Sequence, residues 1–150
     1  MTTAFNLGVQ RTTADPTWRT PRQTFADLDD EFDFTLDPAA SAPIKPGIRW
    51  FAEGDQGLWQ PWSGRVFLNP PYGRAIADWM RKVSLERDRC EVIVGLLPCR
   101  TDAGWWHDHV MPADEIRFIR GRLRFEGVDA PAGHNAPFPS AVIVWRPREA

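Results

Sequence analysis

Tyrosine is nearly absent from this sequence: Tyr72 is the only one among 150 residues, beside eight tryptophans and nine phenylalanines. Cysteine is almost as scarce, with Cys90 and Cys99 alone. These two flank one expected strand, which suits a disulfide poorly, and two thiols by themselves are too few for a metal site. A reducing, cytoplasmic setting is therefore expected. No apolar run approaches the roughly 18 residues of a membrane span, so no membrane partner is expected. Residues 1–17 lack a basic start followed by an apolar block, so they do not read as a signal peptide. They are expected to form a flexible lead-in to a single domain over residues 18–150. No internal repeat or low-complexity tract occurs. The net charge of −2 gives no hint of a nucleic-acid partner, but its distribution does. Residues 1–60 hold five basic and nine acidic side chains, a net of −4, whereas residues 61–150 hold thirteen and eleven, a net of +2. Any surface facing a polyanion should come from the second part. His107, Asp108 and His109 suggest a metal at first sight. Their i, i+2 spacing on a helix points the imidazoles to different faces, so a surface role is favoured and no metal is expected.

What is present alternates between strand and helix patterns, the signature of an α/β fold with a mostly parallel sheet. Thr20-Pro21 can cap and open a first helix that runs through Phe25 and Leu28. Strands are expected over 32–37, 48–51 and 65–68. A helix over 74–87 carries Ile76, Trp79, Met80 and Val83 on one face. Residues 91–97 form a continuous apolar strand, buried on both sides. A helix over 102–110 precedes two last strands, 115–119 and 141–145, which are expected to pair as an antiparallel terminal hairpin. The loop over 127–140, rich in Pro and Gly, is long enough to be either functional or disordered. The tryptophan excess, Trp105-Trp106 included, suits core and rim packing better than a base-stacking track.

The strand over 65–68 runs straight into Asn69-Pro70-Pro71-Tyr72, and Gly73 follows. Neither proline has an N–H, so the sheet ladder ends there. Pro71 holds Pro70 extended. The carbonyls of Asn69 and Pro70 are then free of sheet pairing. With the Asn69 side-chain oxygen they can accept from an exocyclic amino group. Accepting both of its hydrogens draws the nitrogen lone pair out of the ring and aims it at an electrophile, a form of electrostatic preorganisation. Tyr72 adds a face on which a heterocycle stacks. A bare Asn-Pro-Pro is also an ordinary turn after a strand; the aromatic, the apolar strand and Gly73 favour function.

The tetrad resembles the catalytic motif of S-adenosylmethionine-dependent amino-methyltransferases. The stretch from about residue 18 to residue 145, about 85% of the chain, resembles the small phage-type DNA N6-adenine methyltransferases, the Dam-like family. The matching residues are Trp18-Arg19-Thr20-Pro21, Leu36-Asp37-Pro38-Ala39-Ala40-Ser41, Gly57-Leu58, Trp62, Phe67 through Tyr72, and Gly121-Arg122-Leu123-Arg124-Phe125. The resemblance implies a Rossmann-like methyltransferase sheet in a single small domain, S-adenosylmethionine as cofactor and double-stranded DNA as partner. It also implies a phage or prophage origin and a bacterial cytoplasm. It assigns catalysis to Asn69, Pro70, Pro71 and Tyr72. Cofactor binding falls to Thr20 and Pro21, to Asp37 at the end of the first strand, and to the turn of Ala39, Ala40 and Ser41. On composition alone that turn is an ordinary strand-to-helix connection. An acid beyond the second strand is expected to hold the ribose hydroxyls; Asp55 is the choice and Glu53 the reserve.

The target half rests on residues 116–125, which alternate apolar and basic side chains. In one extended strand Arg120, Arg122 and Arg124 share a face that can contact phosphates or read a guanine edge. The alternative is an exposed edge strand whose charges deter aggregation. Arg74, just past Tyr72, can meet a phosphate or simply be solvated. Together these features point to methyl transfer onto N6 of an adenine flipped out of DNA, with short or relaxed sequence specificity. The same tetrad serves RNA adenines, cytosine N4 and protein glutamine in sibling enzymes. A non-catalytic nucleic-acid-binding relative is the alternative from another class.

Overall fold

A computed structural model describes residues 18–51, 56–125 and 135–149. Along these residues run helix α1 (Arg22–Phe32), strands β1 (Leu36–Asp37) and β2 (Arg49–Trp50), the short helix α2 (Gln56–Trp59), strand β3 (Gly64–Leu68) and helix α3 (Ile76–Glu86). Strand β4 (Cys90–Pro98), a wide helical turn at Trp106–Val110, and strands β5 (Glu115–Phe118) and β6 (Ser140–Trp145) follow. The six strands make one sheet in the order β2-β1-β3-β4-β6-β5. The first four are parallel, β6 is antiparallel to β4, and β5 is antiparallel to β6. The sheet is thus mixed, with its antiparallel pair at one edge.

Burial explains this order. Every β4 residue except Glu91 is buried, as are all six of β6, so these strands take the middle. Parallel neighbours need a crossover, and α3 supplies it between β3 and β4. Its Ile76, Trp79, Met80 and Val83 are buried, the one-sided spacing of an amphipathic helix. Helix α1 buries Phe25, Leu28 and Phe32. The Phe25 ring meets Phe67 of β3 edge to face at 5.1 Å, which fixes the face of the sheet that α1 covers. Glu86, at the end of α3, is buried and accepts from the Trp62 backbone N–H at 2.9 Å and from Lys82 at 3.2 Å. The Trp62 indole in turn donates to the Gly57 carbonyl at 2.8 Å. One chain of bonds therefore ties α3, the approach to β3, and α2 together.

Several expected boundaries move. The strand expected over 32–37 begins at Leu36, because Phe32 completes the apolar face of α1. The helix ends at Asp33, whose φ of 52° is left-handed and whose N–H returns to Asp29 O. Asp29 also accepts from the Phe34 N–H at 2.9 Å. Thr20 does not cap α1: Pro21 precedes its first turn and no side-chain capping bond forms. The helix expected over 102–110 shrinks to the wide turn, with Trp106 and Val110 inward. Helix α2 was not expected at all. Among the described residues no helix is long and apolar enough to cross a membrane.

Candidate active site

Strand β1 has a parallel neighbour on each side, and the chain visits β2 before crossing back to β3. Such a reversal opens a crevice at the carboxyl ends of the strands, where open α/β sheets bind ligands. Leu36 pairs with Val66. The loop after Asp37 and the loop after Leu68 therefore leave the sheet side by side. The segments after Asp37 and after Leu68 thus start from neighbouring points at the carboxyl end of the sheet.

Asn69 is reached from a distant segment. Its side-chain Nδ2 donates to the Trp18 carbonyl at 2.8 Å and to Thr20 Oγ1 at 3.0 Å. A carbonyl oxygen can only accept, so the amide nitrogen must face Trp18 and the amide oxygen must face away. That oxygen, Asn69 Oδ1, is closed to solvent and has no hydrogen-bond partner among the described residues. An unsatisfied buried acceptor costs about 1–3 kcal/mol. The arrangement is the complement of a missing N–H donor. No backbone N–H among the described residues reaches the Pro70 carbonyl either.

Tyr72 is buried, and its hydroxyl donates to the Leu96 carbonyl at 2.9 Å. Burial pushes the phenol well above its ordinary range. Phe125 and Phe138 meet this ring edge on, at 6.2 and 5.6 Å. Trp18 meets the same two phenylalanines at 5.6 and 5.5 Å. Gly73 has a φ of 99°, a conformation other residues rarely adopt, and so turns the chain from the tetrad into α3. Tyr72, Ile76, Pro98, Arg100, Asp102 and Trp105 line an open cleft of about 270 Å³, close to the ~300 Å³ lower end of small-molecule sites. Arg100 also lies over the Phe138 ring at 5.4 Å. Sequence reasoning missed both Arg100 and Phe138. The position of Arg100, two residues past a strand's carboxyl end, was the available signal.

On the cofactor side, Asp37 is 5% exposed. Burial pushes its carboxyl up to about 7 against one hydrogen bond from the Ala39 N–H at 3.3 Å. Pro38 and Ala39 form the expected turn. A Cβ on Gly57 would collide with the Pro38 carbonyl oxygen and lie 2.7 Å from the Trp79 ring. Glycine is thus what lets α2 seat against this turn. The Asn69 oxygen without a partner among the described residues, the buried Asp37 carboxyl and the small-residue turn all follow the carboxyl ends of the neighbouring strands β1 and β3, polar groups of the kind an amino-acid and nucleoside ligand needs. Pro21 stands at the start of α1. Asp55 and Glu53 lie outside the described residues.

The arginines do not lie on one extended strand. Strand β5 ends at Phe118, and Gly121 takes a φ of 77° that breaks the extended run. Arg122 donates to the Ala136 carbonyl at 3.4 Å and Arg124 to Asn135 Oδ1 at 3.1 Å. Both hold the returning segment. Arg120 and Arg74 are exposed. Arg117, on the edge strand, is clamped by Glu31 at 2.7 Å and Glu115 at 2.9 Å. His109 meets Ser84 at 2.6 Å and His107 meets the Thr101 carbonyl at 2.8 Å. Among the described residues no group of His, Cys, Asp and Glu has a metal-holding arrangement. Cys90 is buried, which pushes its thiol up to about 11. Residues 9–150 match the family model described as DNA N-6-adenine-methyltransferase (Dam). No curated protein and no solved structure matches the chain.

Proposed function

The chain belongs to the DNA N6-adenine methyltransferase (Dam) family, whose members methylate adenine in DNA with S-adenosylmethionine, and we propose how its residues carry that reaction. Asn69 Oδ1 and the Pro70 carbonyl accept the two hydrogens of adenine N6. The observation that carries this is the buried Asn69 oxygen, without a partner among the described residues and held in place by an amide nitrogen whose hydrogens are both engaged. Two acceptors on N6 localise its lone pair and stabilise the positive charge that develops as it attacks. Held by these two acceptors, N6 would face the methyl group that the cofactor supplies, and the proton it sheds on methylation would pass to water. Pro71 shapes the turn. Tyr72 holds the base by its ring, with Phe125 and Phe138 around it. Orientation and fixed dipoles supply the acceleration.

Cofactor binding is assigned to the crevice beside β1: Thr20 and Pro21, Asp37, the turn of Ala39, Ala40 and Ser41, and, beyond the described residues, Asp55. When bound, S-adenosylmethionine supplies an electrophilic sulfonium methyl. Adenine within a duplex is out of reach, so the target nucleotide is flipped out, with the cleft beside Tyr72 and Arg100 receiving it or its neighbour. Exposed Arg74, Arg100 and Arg120 contact phosphates, whereas Arg122 and Arg124 act through the segment they hold. The methyltransferase domain is assigned to residues 18–150. Labelled methyl transfer tests the acceptor atom. DNA containing purine in place of adenine, which lacks N6, accepts no label under this reading. Undiminished labelling of that DNA would move the reaction to another base.

A further inference from the structure

We propose that Thr20 is a positioning residue of the catalytic amide, setting where Asn69 Oδ1 points and how strongly it accepts. The proposal rests on the reading that Asn69 Oδ1 takes a hydrogen from N6. The Asn69 amide carries two N–H hydrogens, and each has its own acceptor: the Trp18 carbonyl at 2.8 Å and Thr20 Oγ1 at 3.0 Å. The Trp18 carbonyl alone forbids the flipped amide, which would bring two oxygens together. It leaves the amide plane free to swing about that one bond. The Thr20 contact removes this freedom and so fixes the direction of Oδ1. Engaging the second N–H also strengthens the carbonyl as an acceptor, because hydrogen bonds along a chain polarise one another.

Two further observations say that the Thr20 hydroxyl serves Asn69 rather than the helix beside it. Pro21 holds the N-cap position of α1 and has no side-chain group that can cap, so Thr20 stands one residue before the cap and its hydroxyl is not used by the helix. The same short segment also packs Trp18 against Phe125 and Phe138, the rings that surround Tyr72. Residues 18–20 therefore brace both the amide and the aromatic set.

The test compares Thr20→Val, which keeps the shape and removes the oxygen, with Thr20→Ser, which keeps the hydroxyl. Turnover is measured by single-turnover methylation at saturating cofactor and DNA. Cofactor affinity is measured separately by calorimetry. Thr20→Val is expected to lower the rate by ~10- to 100-fold, the scale of a sub-ångström to ångström misplacement, and Thr20→Ser to restore most of it. Unchanged turnover in Thr20→Val, with only cofactor affinity reduced, would overturn the proposal, as would a Thr20→Ser variant as slow as Thr20→Val. Should Asn69→Ala itself turn over normally, the reading of Asn69 fails, an outcome separate from an inactive Asn69→Ala beside a fully active Thr20→Val.

Discussion

Replacing Gly57 by alanine adds one methyl group at the point where α2 meets the turn after β1. That methyl would overlap the Pro38 carbonyl oxygen and stand 2.7 Å from the Trp79 ring. Neither neighbour yields easily. The first is backbone, and Trp79 is 3% exposed and stacked on Trp62 at 6.3 Å. Overpacking costs about 1–3 kcal/mol, and a clash with backbone belongs at the upper end. Alanine recovers up to about 1 kcal/mol over glycine as a helix former. The net expectation is a loss of about 2 kcal/mol. The displaced atom is the carbonyl of Pro38, so the turn carrying Ala39, Ala40 and Ser41 shifts with it. Affinity for S-adenosylmethionine should therefore fall by roughly tenfold, about 1.4 kcal/mol. Urea unfolding gives the first quantity and calorimetric titration the second. A stability change within about 0.5 kcal/mol and an unaltered dissociation constant would refute the coupling between α2 and the cofactor turn.

Other outcomes follow from the same geometry. Burial raises the Asp37 carboxyl from 3.8 to about 7, so between those values the native state keeps a proton that the unfolded chain has released. Without cofactor, stability should fall as pH rises through that window and level off above it. Asp37→Asn should remove this fall, and an unchanged pH profile in the variant would contradict the assignment. Tyr72→Phe should retain turnover and lose about 1 kcal/mol of stability with the bond to Leu96, whereas Tyr72→Ala should lose turnover. Equal inactivity of the two in initial-rate assays would give the hydroxyl a chemical role. Glu86→Ala leaves Lys82 and the Trp62 N–H without their acceptor and should cost about 3–5 kcal/mol, read as the denaturation midpoint. A midpoint that does not move would exclude a bracing role for Glu86. Arg100→Ala should weaken DNA binding and reduce the salt slope by about one, and an identical slope would remove Arg100 from the phosphate contacts.

Much of this architecture is legible in the chain because it rests on local patterns. The run Val66-Phe67-Leu68 is followed, past Asn69, by two residues without an N–H, so the strand end and the free carbonyls could be read directly. The spacing of Ile76, Trp79, Met80 and Val83 specified the buried face of α3. Phe32 was read into the first strand, as an aromatic suits a strand, yet it completes a helical face begun at Phe25 and Leu28. Helix α2 escaped notice because Gly57 is a poor helix former and is held by tertiary contact instead. The arginine run from 120 to 124 read as one strand, although Gly121 within it was a signal for a bend. The bond between Thr20 and Asn69 joins residues 49 positions apart. No local pattern reports it, so Thr20 was assigned to the cofactor without its link to the catalytic amide.

The most direct measurement is the product itself. Purified protein is incubated with unmethylated DNA and S-adenosylmethionine, the DNA is digested to nucleosides, and the digest is analysed by mass spectrometry. Asn69→Ala is run beside the parent protein, with cofactor affinity measured for both. The account predicts N6-methylated deoxyadenosine from the parent and its loss in Asn69→Ala, at nearly equal cofactor affinity. Undiminished N6 methylation by Asn69→Ala would contradict the role of the unpartnered oxygen, and methylation of a different base would contradict the assigned reaction.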